Sequence, residues 1–225
     1  MSVTEISQYF SADSVFVLPA RFGVTIFFFI SGYIITTLMR TEFERTDTVS
    51  FRNFYLRRIY RIFPPLYITL ALAALLSWAG LLRSGVTWSS VMAQILHFTN
   101  YYALLIANTR FFEGTKLLWS LAVEEHFYLV FPLFFLLLAR RLSCSQIGWC
   151  MAGLCVAVLG WRCYLYFGLN ISSSWAFIAT DSRIDSILFG CILGVWHNPA
   201  RDTPLIRQKF AAVLVLIASL GAVVF

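Results

Sequence analysis

Charge is what this sequence has least of. Only 12% of its 225 residues are Asp, Glu, Lys or Arg, against roughly 25% in an ordinary soluble domain, so a solvated globular surface is excluded as the main boundary. Histidine occurs three times, at His97, His126 and His197, and nowhere at a spacing that suits a metal ion. A phosphate-binding glycine loop and a Gly-x-Ser-x-Gly elbow are both missing. The five cysteines (Cys144, Cys150, Cys155, Cys163, Cys191) fall mostly inside apolar runs. They lack the paired short spacings of a disulfide framework or a zinc site and read as small apolar residues. Repeats and low-complexity tracts are absent, and so is a recognisable cleavable signal. Residues 1–14 are polar without a basic start, and the first apolar run has the length of a full span.

What is present is apolar sequence. Hydrophobic residues make up 60% of the chain, and mean hydropathy is +0.77. A span needs about 20 mostly apolar residues. Phe22–Met39, Pro65–Leu82, Glu125–Ala139 with its Trp119–Glu124 lead-in, Ile147–Phe167, Ala176–Trp196 and Phe210–Phe225 all qualify as candidates. The last stops at Phe225 without a polar anchor and short of the usual length. Val91–Ala107 is interrupted by Gln94, His97, Thr99 and Asn100 and reads as a re-entrant or interfacial helix, with a full span as the alternative. The fold class is therefore all-α: one membrane-embedded domain over 1–225, a polytopic transmembrane helical bundle of about six to seven spans.

Basic residues orient it. Arg40, Arg45, Arg52, Arg57, Arg58 and Arg61 lie between the first two spans, Arg140 and Arg141 follow the third, and Arg201, Arg207 and Lys209 follow the fifth. If Val91–Ala107 does not cross, these eleven of the 17 basic residues share one face, which is cytoplasmic by the positive-inside rule. The outer loops then keep Arg83, Arg110 and Lys116. This topology puts the arginine-rich link in the cytoplasm and Trp119–His126 near the outer face. The net charge of +6 follows from the same asymmetry, so basic blocks such as Phe51–Phe63 read as contacts to anionic lipid headgroups and not to nucleic acid. Asn170-Ile-Ser172 matches a glycosylation sequon on a predicted outer loop.

Three segments carry ionisable groups into lipid, where such groups are costly. In Trp119-Ser-Leu-Ala-Val-Glu-Glu-His-Phe-Tyr128, helical geometry sets Ser120, Glu124 and Tyr128 along one side, with Glu125 and His126 on others. A carboxylate in low dielectric serves as acid or base; the competing reading is two acids capping a helix N-terminus. Arg58 and Arg61 share a face just before Pro64-Pro65, an arrangement that suits either a bidentate phosphate contact or lipid headgroups. Asp181-Ser-Arg183-Ile-Asp185 reads as a structural ion pair, and Gly190 and Gly194 as a close helix approach. His97 and His197 read as interfacial groups.

In order along the chain stand Gly23-Val-Thr-Ile-Phe-Phe-Phe-Ile-Ser-Gly-Tyr33, Arg58-x-x-Arg61-Ile-Phe-Pro, Trp119-Ser-Leu-Ala-Val-Glu124-Glu-His-Phe-Tyr128-x-x-x-Pro132 and Arg183-x-Asp185-x-x-x-x-Gly190. From about Phe22 to Trp196 the chain resembles the bacterial integral-membrane acyltransferase family 3, which includes O-antigen and nodulation-factor acetylases. The resemblance implies about ten spans, a multi-pass place in the bacterial inner membrane, and transfer of an acyl group, commonly acetyl. The donor it implies is cytoplasmic acyl-CoA and the acceptor a hydroxyl of a cell-surface carbohydrate, with no bound cofactor. It assigns Arg58 and Arg61 to the coenzyme A phosphates and Glu124 to the motif acid. Ser31, Gly32 and Tyr33 match the second-span block. Trp119, Ser120, Tyr128, Arg183 and Asp185 join the substrate-binding set, and Glu124 and His126 the catalytic one. The sequence also departs from the family. Residues 1–21 lack the first-span histidine, Thr25 stands where an acid is common, and His126 where Gln is frequent. The expectation is a chain truncated at both ends, with His126 a substitute base. Two other readings stay open: a non-enzymatic transporter or flippase of lipid-linked sugars, and an inactive remnant.

Overall fold

Short polar side chains start three helices of this bundle. Ser50 accepts from the Asn53 amide, Thr87 from the Ser90 amide, and Ser143 exchanges a reciprocal pair of bonds with Gln146, each satisfying amides that the first turn leaves open. The computed structural model describes residues 12–82, 85–106, 109–171, 173–196, 198 and 200–202, with side chains from Phe22 onward except Ser173. Ser172 of the sequon, His197, Arg83, Arg207, Lys209 and the Phe210–Phe225 run lie outside the described residues.

Among the described residues the chain is helical and has no strand. Helix α1 (Ala12–Thr46) is followed after a four-residue link, 47–50, by α2 (Phe51–Trp78); then come two short helices, α3 (Trp88–Ile95) and α4 (Thr99–Leu105). A 3-10 turn at Thr115–Leu117 leads into α5 (Leu118–Ala139), and α6 (Cys144–Cys163) continues into a wide turn, Tyr164–Gly168, that ends on Leu169 N–H to Tyr164 C=O. Helices α7 (Ser173–Ile178) and α8 (Thr180–Trp196) close the described chain. Four segments are long and apolar enough to cross a membrane: Phe22–Thr46, Phe51–Trp78, Thr115–Ala139 and Cys144–Gly168. Helix α8, at 17 residues, is about 25 Å long.

Their outward faces explain the apolar composition. Ile68, Leu72 and Leu75 on α2, Leu129, Leu133 and Leu137 on α5, and Trp149 and Val156 on α6 are all more than half exposed. Such a surface is an aggregation liability in water and the required boundary in hydrocarbon, where no hydrophobic force holds helices together. The chain is an integral membrane protein. Small residues do the packing instead. A Cβ added at Gly32 would fall on the Ile187 carbonyl, and one at Gly190 on the Phe29 carbonyl, so α1 and α8 touch backbone to backbone. Gly148 similarly admits the Trp196 indole, whose Nε1 donates to Ser145 O at 2.9 Å.

One sequence expectation changes here. Pro64-Pro65 does not separate a link from a span: α2 runs unbroken through both prolines from Phe51. The missing amides release only the carbonyls one turn earlier, a defect that membrane helices tolerate. Arg52, Arg57, Arg58 and Arg61 therefore ride on the helix, and only residues 47–50 form the link. The re-entrant or interfacial reading of Val91–Ala107 holds against the full-span alternative: its described residues fall in two helices broken around His97 (φ 58°), each about 12 Å long or less and too short to cross a core of about 30 Å. The consequence for topology is direct. Arg40 Nη2 reaches Asp202 Oδ1 at 3.3 Å and Trp196 reaches Ser145, so the C-terminal ends of α1 and α8 and the start of α6 share one end of the bundle.

Candidate functional site

Glu124 is a buried acid, 3% exposed on α5. The first turn of α5 holds no acid, and Glu124 and Glu125 sit past it, so the capping reading fails: the open amides lie above them. Helix periodicity puts Tyr128 one turn further along the same side, and α1 brings Ser31 against both. The Ser31 and Tyr128 hydroxyls are hydrogen-bonded to each other, and each acts on the Glu124 carboxylate, as does the charge of Arg58. The Oε1 atom of Glu124 has no hydrogen-bond partner among the described residues. Arg58 stacks its guanidinium 3.2 Å above the centre of the Tyr128 ring, with the Phe54 ring 5.0 Å away, a cation–π arrangement. Tyr55, three residues before it, donates to Leu129 O at 2.9 Å and fixes α2 against α5 at this level.

The depth of this cluster follows from helix rise. Glu124 stands about 24 Å and Tyr128 about 18 Å along α5 from Arg140, and Ser31 about 13 Å along α1 from Arg40. The site therefore lies inside a hydrocarbon core of about 30 Å, with Glu124 toward the end away from Arg140. Sequence reasoning places Arg58 in a cytoplasmic link and Trp119–His126 near the opposite face. The structure brings the two together, because α2 begins at Phe51 and carries Arg58 inward.

The other expected site residues scatter. Arg61 is exposed, so it does not act as a pair with half-buried Arg58. Tyr33 donates to Asn198 Oδ1 at 2.8 Å, locking α1 to the end of α8. Ser120 donates back to Leu117 O at 3.0 Å. Trp119 is 7% exposed and packs edge-on to Phe28 and against Phe177. Arg183, 1% exposed, donates from Nη2 to Thr25 Oγ1 at 2.5 Å. The expected structural ion pair forms between helices and not within Asp181–Asp185, since residues two apart on a helix diverge. Asp185 binds Arg162 of α6 at 2.6 Å, both nearly fully buried. Asp181 accepts from Tyr101 at 2.9 Å and from the Trp161 indole at 2.6 Å. Sequence reasoning missed Arg162, although a single arginine inside Ile147–Phe167 is the signal of an intramembrane charge awaiting a partner. It also missed Asn100 and Thr180.

His126 belongs to a different environment. Two residues from Glu124 on a helix, it faces the opposite side of α5, where Nδ1 lies 2.8 Å from Thr180 Oγ1. Its ring packs against Phe98 and stacks on Tyr101. The two residues expected to share catalysis are thus divided by their own helix.

An acyltransferase domain model matches residues 3–225. The peptidoglycan O-acetyltransferase OatA of Listeria monocytogenes serovar 1/2a is 27% identical over 213 residues, 90% of this chain and 34% of that protein. The O-acetyltransferase OatA of Staphylococcus aureus (strain NCTC 8325 / PS 47) is 30% identical over 207 residues, 88% of this chain and 34% of that protein. The chain spans about a third of the length of these curated relatives. No solved structure matches it.

Proposed function

The chain belongs to the acyltransferase domain family, and from that premise we propose that it moves an acyl group, acetyl by analogy with the relatives' names, from acyl-CoA to a carbohydrate hydroxyl. The observation that carries this reading is the buried Glu124 carboxylate beside two hydroxyls and one guanidinium, inside a membrane bundle.

Glu124 takes the proton of the acceptor hydroxyl. The acceptor oxygen bonds to the acyl carbon, the carbon–sulfur bond of the thioester breaks, and the thiolate recovers the proton from Glu124, giving an ester and free thiol. A general base contributes about 10² to 10⁴ in rate. Ser31 and Tyr128 hold the carboxylate in place, and Arg58 balances negative charge as it shifts from carboxylate to acyl oxygen. Arg58 is held by Tyr128 and Phe54, which leaves exposed Arg61 of the two, about one turn further along α2, for the donor's phosphates. Donor from the basic, cytoplasmic end and acceptor from the other then meet at the same carboxylate.

Membranes containing the protein, supplied with acetyl-CoA labelled in the acetyl group, test the reading. Label should appear as ester on glycan and be released by mild base. A glycan that crosses the membrane while no label leaves the coenzyme would establish the transporter reading instead.

A further inference from the structure

On the side of α5 away from Glu124 lies a cavity of about 470 Å³, which the reaction above does not use. Its floor is Phe131 and Leu188, each 2% exposed, while Val130 at 63% and Leu154 at 39% line it from the outer surface. Both mouth residues belong to helices long and apolar enough to cross a membrane, so the opening gives onto hydrocarbon. No carboxylate, lysine or arginine lines it. The nearest acid along α8, Asp181, has its oxygens taken by Tyr101 and Trp161, and Asp185 is closed on Arg162. Charge complementarity therefore asks for an uncharged, chain-like occupant delivered from the bilayer.

The cavity also has a polar wall. The Asn100 side-chain nitrogen donates to Thr180 Oγ1 at 2.9 Å. An amide nitrogen only donates, so Thr180 accepts there, and its hydroxyl is also hydrogen-bonded to His126 Nδ1 at 2.8 Å. The other ring nitrogen, Nε2, is buried and has no hydrogen-bond partner among the described residues. A buried polar nitrogen left unpaired is costly, and a hydroxyl brought by a ligand, which both donates and accepts, would satisfy it in either tautomer.

We propose that this cavity is a lipid site: the hydrocarbon chain of a membrane amphiphile enters between Val130 and Leu154, and an uncharged hydroxyl of its head group pairs with Nε2 of His126. The site stands whether or not the chain transfers acyl groups.

The probe is a palmitoyl monoglyceride carrying a diazirine on its chain, photolysed with the protein in phosphatidylcholine nanodiscs and mapped by peptide mass. Labels should concentrate on α5, α6 and α8 and fall severalfold in Leu154→Trp, which fills the mouth. Leu129→Trp, on the exposed face of α5 outside the cavity, should leave them unchanged and serves as the folding control. His126→Phe should weaken monoglyceride capture about fivefold, the size of one net hydrogen bond, and His126→Gln should restore it. Capture of a diazirine hexadecane by His126→Phe should match the parent. Equal labelling of Leu154→Trp and Leu129→Trp overturns the site. Undiminished monoglyceride capture by His126→Phe overturns the role of the histidine.

Discussion

Arg58 and Glu124 illustrate how much one side chain decides inside a membrane bundle. A buried charge deprived of its counter-charge is among the most destabilising changes known, on the order of 3–5 kcal/mol. Half-buried Arg58 acts on Glu124 by charge at a distance and not as a direct ion pair, so it belongs below that range. Arg58→Met should lower stability by about 1–2 kcal/mol in a detergent melt, and adding Glu124→Gln should recover most of that, because the orphaned carboxylate is gone. A double variant no better than the single would break the link between the two residues. His97 makes a pH prediction. Burial first, and the neighbouring His126 second, hold its imidazole below the ordinary range. The unfolded chain therefore binds a proton before the folded one does as pH falls, and the stability tied to neutral His97 is complete above about pH 6.5 and declines below it. Amides of α4 should lose hydrogen-exchange protection between pH 7.5 and 5.5, after correction for intrinsic rates; constant protection would contradict this. At this scale the sequence was partly legible. The spacing of Glu124 and Tyr128 announced a shared face, and charge rarity marked Arg58 and Asp185. The partners of Asp181, Asp185 and Arg183 were not legible, because each sits on a helix distant in sequence.

Helices α1 and α8 meet where glycines remove the side chains between them. Gly32→Val and Gly190→Val should each cost about 3 kcal/mol or more, beyond the usual overpacking range of about 1–3, since the new atoms meet backbone carbonyls that cannot rotate away. Gly153→Ala, with open space around it, should be neutral or slightly stabilising through helix propensity. Comparable melting temperatures for Gly32→Val and Gly153→Ala would refute the backbone contact. Element identity came readily from hydropathy: the apolar runs became α1, α5 and α6, and the polar interruptions of Val91–Ala107 became the break between α3 and α4. The start of α2 did not. Pro64-Pro65 looks like punctuation in a sequence, but a helix flanked by lipid has no better partner for its remaining amides than its own carbonyls.

Across the whole molecule, the Arg40–Asp202 and Trp196–Ser145 contacts fix a common end for α1, α6 and α8, and that frame sets the depth of the site. It puts Glu124, Ser31, Tyr128 and Arg58 within the bilayer core on one side of α5, and His126 with an apolar cavity on the other. The first chamber suits proton transfer and the second a hydrocarbon chain; one linear motif, Trp119–Tyr128, supplies both because adjacent helix residues face different neighbours. That division could not be read from the motif alone, where Glu124 and His126 look like a pair. The most direct test is the rate of acetyl transfer from acetyl-CoA by membranes carrying Glu124→Gln, beside Ser120→Ala, whose hydroxyl is bound to the Leu117 carbonyl. Glu124→Gln should lose about 10²-fold or more at unchanged membrane abundance while Ser120→Ala keeps its rate. Transfer by Glu124→Gln near the parent rate would contradict the assignment of this carboxylate as the proton-handling group.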